Sequence, residues 1–180
     1  EDVVVSKIFP TTHFGFRKIT VERPLRLNFQ ASPEPIRRLE EERGFLALAT
    51  SKKKGAAALK EVAEGRAQQD AIRKMLKRVP QTLYKDRGDF LAALEKAARE
   101  EQLKLTAPVT KAILATLSER DEDSAICRDS SGHPEPDPDL RDTESIPLGE
   151  TVEVFFDREV KPHVPDAWID TDRRDEKDGQ

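Results

Sequence analysis

Cysteine occurs once, at Cys127, so no disulfide framework can form within the chain, and a reducing, cytoplasmic setting is the expectation. The bland role for that residue is a small buried hydrophobe. No apolar run reaches the length of a membrane helix, so no membrane partner is expected. Val3-Val4-Val5 is too short for the core of a signal peptide and follows two acids. The eight glycines stand at 15, 44, 55, 65, 88, 132, 149 and 179 and never as G-x-G, which excludes the usual dinucleotide fingerprint and a P-loop. His13, His133 and His163 are far apart and lack i, i+4 partners, so a metal site would need a convergence with the lone cysteine. Neither sign of charge dominates: 31 basic residues face 35 acidic ones, which leaves no global nucleic-acid footprint and puts any such work on local patches. The single methionine is Met75 and the first residue is Glu1, which favours an excised piece of a longer protein.

What is present is charge and amphipathic pattern. Apolar residues are 36% of the chain and charged residues 37%, so a core must come from half-buried elements. In FGFRKITVERPLRLNFQ, Ile19 and Val21 alternate with Lys18, Thr20 and Glu22, and Leu25, Leu27 and Phe29 with Arg26, Asn28 and Gln30. Period-2 alternation predicts two strands, and a strand pair is rarely stable alone, so either a helix packs on it or its sheet lies elsewhere. Ser32 before Pro33-Glu34-Pro35 predicts a capped helix that Gly44 stops. Ala56 to Val79 is the longest helical signal, closed by Pro80, with Gly65 weakening its middle and Arg66 and Gln69 interrupting its apolar stripe. Asp86 or Asp89 caps a helix running to about Glu101, and Pro108 opens another carrying Val109, Ile113, Leu114 and Leu117.

Composition then turns to Asp, Pro and Ser. Ser131-Gly132 predicts a tight turn between a short strand at Ala125–Arg128 and an extended arm. Glu135, Asp137 and Asp139 alternate along PEPDPD and could hold a cation, but a solvated, proline-stiffened arm is the better reading. A last helix near Glu150 to Lys161 presents Val152, Phe155, Phe156 and Val160. The fold expected is mainly α with short β-elements (α+β): an N-terminal strand segment (1–30), a bundle-like helical region (31–120), a hairpin and arm (121–149), a helix with a tryptophan segment (150–170) and a polar tail (171–180).

Candidate site residues are few. Lys52, Lys53 and Lys54 in SKKKG, and Arg73, Lys74, Lys77 and Arg78 in RKMLKR, could touch DNA phosphates, and the alternative is a solvated loop and a solvated helix face. Val152, Phe156 and Val160 form one stripe at i, i+4 and i+8, with Phe155 beside it. Phe155 or Trp168 is therefore the expected interface residue.

Four stretches, FGFRKITVERPLRLNFQ, LYKDRGDFLAAL, ICRDSSGHPEPDPDLRDTESIPLG and VEVFFDREVKPHVPDAWID, resemble the methylation subunit of type I restriction-modification systems. They stand in the family's order and span the chain. The resemblance implies a parent that methylates adenine N6 in DNA with S-adenosylmethionine. That parent has a helical N-terminal domain, a Rossmann-like catalytic domain and a C-terminal portion, and it assembles with specificity and restriction subunits. The family's Asn-Pro-Pro-aromatic loop is missing here: the one asparagine, Asn28, precedes Phe29. No catalytic, cofactor or metal residue is carried over, and the resemblance places this piece after the catalytic domain. It implies a non-catalytic region serving subunit assembly, DNA holding or both, its first strands leaving a sheet of the parent and its polar end a loop where the parent continues. The alternatives are a stand-alone helical adaptor and, against the missing motifs, a small independent enzyme.

Overall fold

The computed structural model describes residues 9–11 and 14–171. The chain divides into two units, Glu1–Leu25 with Arg128–Gln180, and Arg26–Cys127, so the second is inserted in the sequence of the first. The α+β class read from the sequence holds, and both N-terminal strands form. They do not pair with each other; they belong to different sheets in different units.

In the inserted unit, β2 (Leu27–Phe29) pairs antiparallel with β3 (Ser118–Arg120), Leu27 facing Arg120 and Phe29 facing Ser118. Phe29 and Tyr84 also exchange both backbone hydrogen bonds at 2.9 Å. Five helices cover this small sheet: α1 (Pro33–Arg38), α2 (Arg43–Leu46), α3 (Ala56–Leu76), α4 (Arg87–Glu100) and α5 (Ala107–Leu117). The core is apolar and centred on Phe29, Phe45, Met75, Phe90 and Ile113, all fully buried. The rings of Phe29 and Phe90 stack at 5.1 Å, and Tyr84 meets Phe90 edge-on at 5.4 Å.

Local chemistry sets the ends of these helices. Ser32 sits at the N-cap of α1 but makes no side-chain cap bond, and Pro in the first turn spares a donor. The helix is interrupted at Glu42, whose extended backbone (ψ 129°) separates a short 3-10 turn from α2, and not at Gly44 as expected. Gly44 lies inside α2, where a Cβ would come within 3.1 Å of the Pro108 carbonyl. Asp86 caps α4 by accepting from Gly88 N at 2.7 Å and Asp89 N at 3.2 Å. At its other end Gln102 adopts φ +51°, its amide bonds Arg99 O at 3.0 Å, and Leu103 N reaches back to Ala98 O at 2.8 Å. This is a Schellman ending with a non-glycine at the left-handed position.

The two oddities of the long helix have one cause. Gly65 was expected to weaken α3, but it is buried, and a Cβ there would lie 1.8 Å from the Leu48 carbonyl oxygen. Only glycine lets the 3-10 turn after α2 (Ala47–Ala49) approach the helix that closely. One turn on, the buried Gln69 interrupts the apolar stripe because its amide donates to Phe45 O at 2.8 Å, satisfying a carbonyl at the end of α2.

Among its described residues the outer unit holds a three-stranded antiparallel sheet in the order β4 (Asp142–Pro147), β1 (Phe16–Glu22), β5 (Trp168–Ile169). Phe16 to Val21 face Pro147 to Asp142, while β5 covers only Val21 and Glu22. The partners of β1 are thus in this chain, which corrects the expectation that its sheet lies elsewhere. The helix expected near Glu150–Lys161 is α6 (Val152–Phe155) continued by a π-helical turn, Phe156–Val160. Phe156, Val160 and Ala167 are buried against Val21, with Ile19 and Ile169 beside them.

The segment before β4 is also more structured than expected. A hairpin tip closes between Arg128 and Pro134, with Gly132 at φ +85° and the Asp129 carboxylate accepting from Ser131 N and His133 N. The arm then docks along the chain leaving β1: Leu25 N bonds Glu135 O and Asp137 N bonds Arg23 O, each at 2.8 Å. Asp137 is buried and its Oδ1 accepts from Asp139 N, so the solvated arm of the sequence reading is corrected to a packed turn.

Candidate functional site

The seven basic residues singled out lie in the inserted unit, and most face a carboxylate there. Lys52, Lys53 and Lys54 are exposed on the loop before α3, and Lys53 Nζ stands 3.7 Å from Glu61 Oε2. The Ser51 hydroxyl donates to that same oxygen at 2.5 Å and, with Lys53, holds the Glu61 carboxyl below its ordinary range. Arg73 binds Glu40 at 3.0 Å and Asp70 at 2.6 Å, and its guanidinium covers the ring of Phe45 at 5.3 Å. Lys74 and Arg78 both hold Glu101, at 3.0 and 2.6 Å, across α3 and α4. The Lys74 hydrogen bond is the main cause of the lowered Glu101 pKa. Lys52, Lys54 and Lys77 have no ion-pair partner among the described residues. A phosphate would have to displace a carboxylate from four of the seven, so the two basic clusters lie within mixed charge.

The outer unit offers a different kind of surface. Phe156 is buried at 6% exposure, and Phe155 is half-buried with the Arg158 guanidinium 5.9 Å from its ring centre. Arg158 is itself fixed by both oxygens of Glu150 and by Glu159 Oε1 at 2.7 Å. These hydrogen bonds keep Arg158 more firmly charged than an ordinary arginine, Glu150 contributing most. Trp168 is half-buried in β5, opposite Glu22. Glu22 is a buried carboxylate whose Oε1 accepts from Arg141 Nε at 2.6 Å, tying β1 to the arm.

The most exposed aromatic residues are Phe14 (74%) and Phe16 (58%), and neither was singled out from the sequence. The signal was present: Phe16 shares strand parity with Lys18, Thr20 and Glu22, so it lies on the face away from Ile19 and Val21. Leu148 is partly exposed at the same end, packed so closely on Gly15 that a Cβ there would meet its Cδ1 at 2.3 Å. The Phe9 and Phe14 rings meet edge-on at 6.0 Å. Three phenylalanines and a leucine therefore gather where β1 begins, beside Arg17 and Lys18.

Among the described residues no group of three potential metal ligands converges, His133 stands exposed beside Asp129, and Cys127 is buried. His13 lies outside the described residues. No family model, curated protein or solved structure matches the chain.

Proposed function

We propose that the chain is a non-catalytic region of the methylation subunit of a type I restriction-modification system, and that its part there is assembly with the specificity and restriction subunits in the cytoplasm. The four stretches given above support the family. The observation that favours assembly is Phe16, a large apolar side chain on an otherwise polar strand face, flanked by the still more exposed Phe14. DNA is reached through the parent complex. A weak phosphate contact in this region has a narrower basis, the unpartnered Lys52, Lys54 and Lys77.

S-adenosylmethionine belongs to the parent in this reading, because the residues here do not fit it. Strand pairings among the described residues are antiparallel, and Gly55, the glycine that opens α3, follows a lysine loop and not a strand. No step of methyl transfer is therefore assigned to this region.

The test is assembly of the full methyltransferase. The gene's reading frame upstream of Glu1 should encode an Asn-Pro-Pro-aromatic loop. Phe14→Ser with Phe16→Ser in the parent should leave melting nearly unchanged and weaken co-purification of the specificity subunit at least tenfold. An upstream frame without that loop, or undiminished assembly of the double variant, would refute the reading.

A further inference from the structure

Among the described residues the sheet of the outer unit is incomplete on one side. Residues of an antiparallel strand point their backbone groups alternately to the two neighbours. Asp170 N bonds Thr20 O, so the even-numbered residues of β1 face β5. The bond from Leu148 N to Gly15 O on the β4 side agrees with that alternation. Yet β5 is only two residues long and stops at Val21 and Glu22. The N–H and C=O groups of Phe16 and Lys18 consequently face an open edge with no partner strand among the described residues. Proteins normally cover, bulge or charge such an edge, because it is a template for another chain. Here the edge carries one exposed cation, Lys18, and ends in the exposed rings of Phe16 and Phe14.

We infer that this open edge of β1 takes an extended segment of a partner protein as an added strand, with a carboxylate side chain placed across from Lys18 and an apolar residue lying on Phe16. Backbone pairing at Phe16 and Lys18 supplies the docking, and the alternate side chains supply the selection. The charge of Lys18 argues for an acidic partner and against pairing of two copies about this position, which would set Lys18 beside Lys18. The inference rests on the assembly reading and names the surface and the partner chemistry within it.

The test uses the whole chain, nitrogen-labelled, titrated with acetyl-Thr-Asp-Thr-Val-Thr-amide, whose Asp and Val share one face as Lys18 and Phe16 do, and with the same peptide carrying Lys for Asp. The Asp peptide should shift the amide signals of Phe16 and Lys18 and bind about three- to fivefold more tightly than the Lys peptide, the span expected of one cross-strand charge pair. Lys18→Pro should abolish binding while sparing the β1–β4 ladder, since the Lys18 N–H faces the open side. Lys18→Glu should reverse the preference between the peptides, and it keeps the test decisive if the proline variant fails to fold. Silence at both amides with either peptide at millimolar concentration would overturn the inference. So would slow exchange of both amides before any peptide is added, which would mean the chain closes its own edge, or self-association through them. Such failures leave the co-purification result for the Phe14 and Phe16 variants standing on its own.

Discussion

Gly65→Ala makes the sharpest test of the packing, because two ordinary rules give opposite signs. In an exposed helix interior the change from glycine to alanine gains roughly 1 kcal/mol. Here the added methyl would sit 1.8 Å from Leu48 O, 2.5 Å from Leu48 C and 2.9 Å from Ala49 Cα. All three are backbone atoms, so no side chain can swing aside. The 3-10 turn must withdraw from α3 by roughly an ångström or more, an overpacking penalty of about 1–3 kcal/mol and occasionally higher. That withdrawal also stretches the Gln69–Phe45 bond one turn along, and a buried polar group left unmet costs about 1–3 kcal/mol. Set against the helix gain, the net loss is about 1–5 kcal/mol, or roughly 5–25 °C in melting temperature for a unit of this size. Thermal unfolding followed by far-ultraviolet circular dichroism measures it, with Gly149→Ala as control, since a Cβ there meets nothing within 4 Å. An alanine variant at 65 as stable as the wild type would refute the account of why that glycine is there.

Gln102→Gly should raise stability by up to about 1 kcal/mol in a urea titration, because glycine removes the left-handed strain at the end of α4 and returns part of the gain as chain entropy. Phe156→Ala should lose about 3–5 kcal/mol as a buried aromatic, whereas Phe155→Ala, half-exposed under Arg158, should shift melting by only a few degrees; equal losses would mean both rings are core. The Asp121 carboxylate is held below its ordinary pKa first by the Ser124 hydroxyl, then by the Asn28 amide and Asp123 N. A depressed folded pKa gives stability that is present above the unfolded value and lost on acidification. The urea midpoint should therefore fall below about pH 4, and Asp121→Asn should flatten that fall.

Much of this fold was legible because it follows from local chemistry. The alternation in Lys18–Glu22 placed β1, Asp86 marked the start of α4, and Ser131-Gly132 marked the hairpin tip. What escaped was set by distant partners. Gly65 and Gln69 look like defects of a helix until Leu48 and Phe45 are beside them. PEPDPD looks solvated until Arg23 and Leu25 offer it backbone partners. Of the acids that meet the basic clusters, Asp70 and Glu61 lie three and eight residues from their partners, but Glu40 and Glu101 lie 33 and 23 to 27 residues away in sequence and were not legible there. Phe16 was less legible for another reason: it is the one ring on the polar parity of a strand whose periodicity points to the opposite face.

The insertion of one unit within the other bears on the order in which the chain can fold. Closing β1 on β4 directly brings together residues separated by about 120 positions. Arg26 and Ile126 bridge one another within the inserted unit, so its two ends emerge side by side once it has folded. The segment still to be closed is then fewer than 20 residues, and the entropy of closure falls by roughly 1.7 kcal/mol. The outer sheet is thereby made the later event, since β4 and β5 leave the ribosome only after the whole inserted unit. Until then β1 waits with both edges open, and a cell that stalls translation between Cys127 and Asp142 would expose a bare strand beside three phenylalanines. Chaperone capture of such nascent chains, absent when Phe14 and Phe16 are serine, would be the trace of that interval.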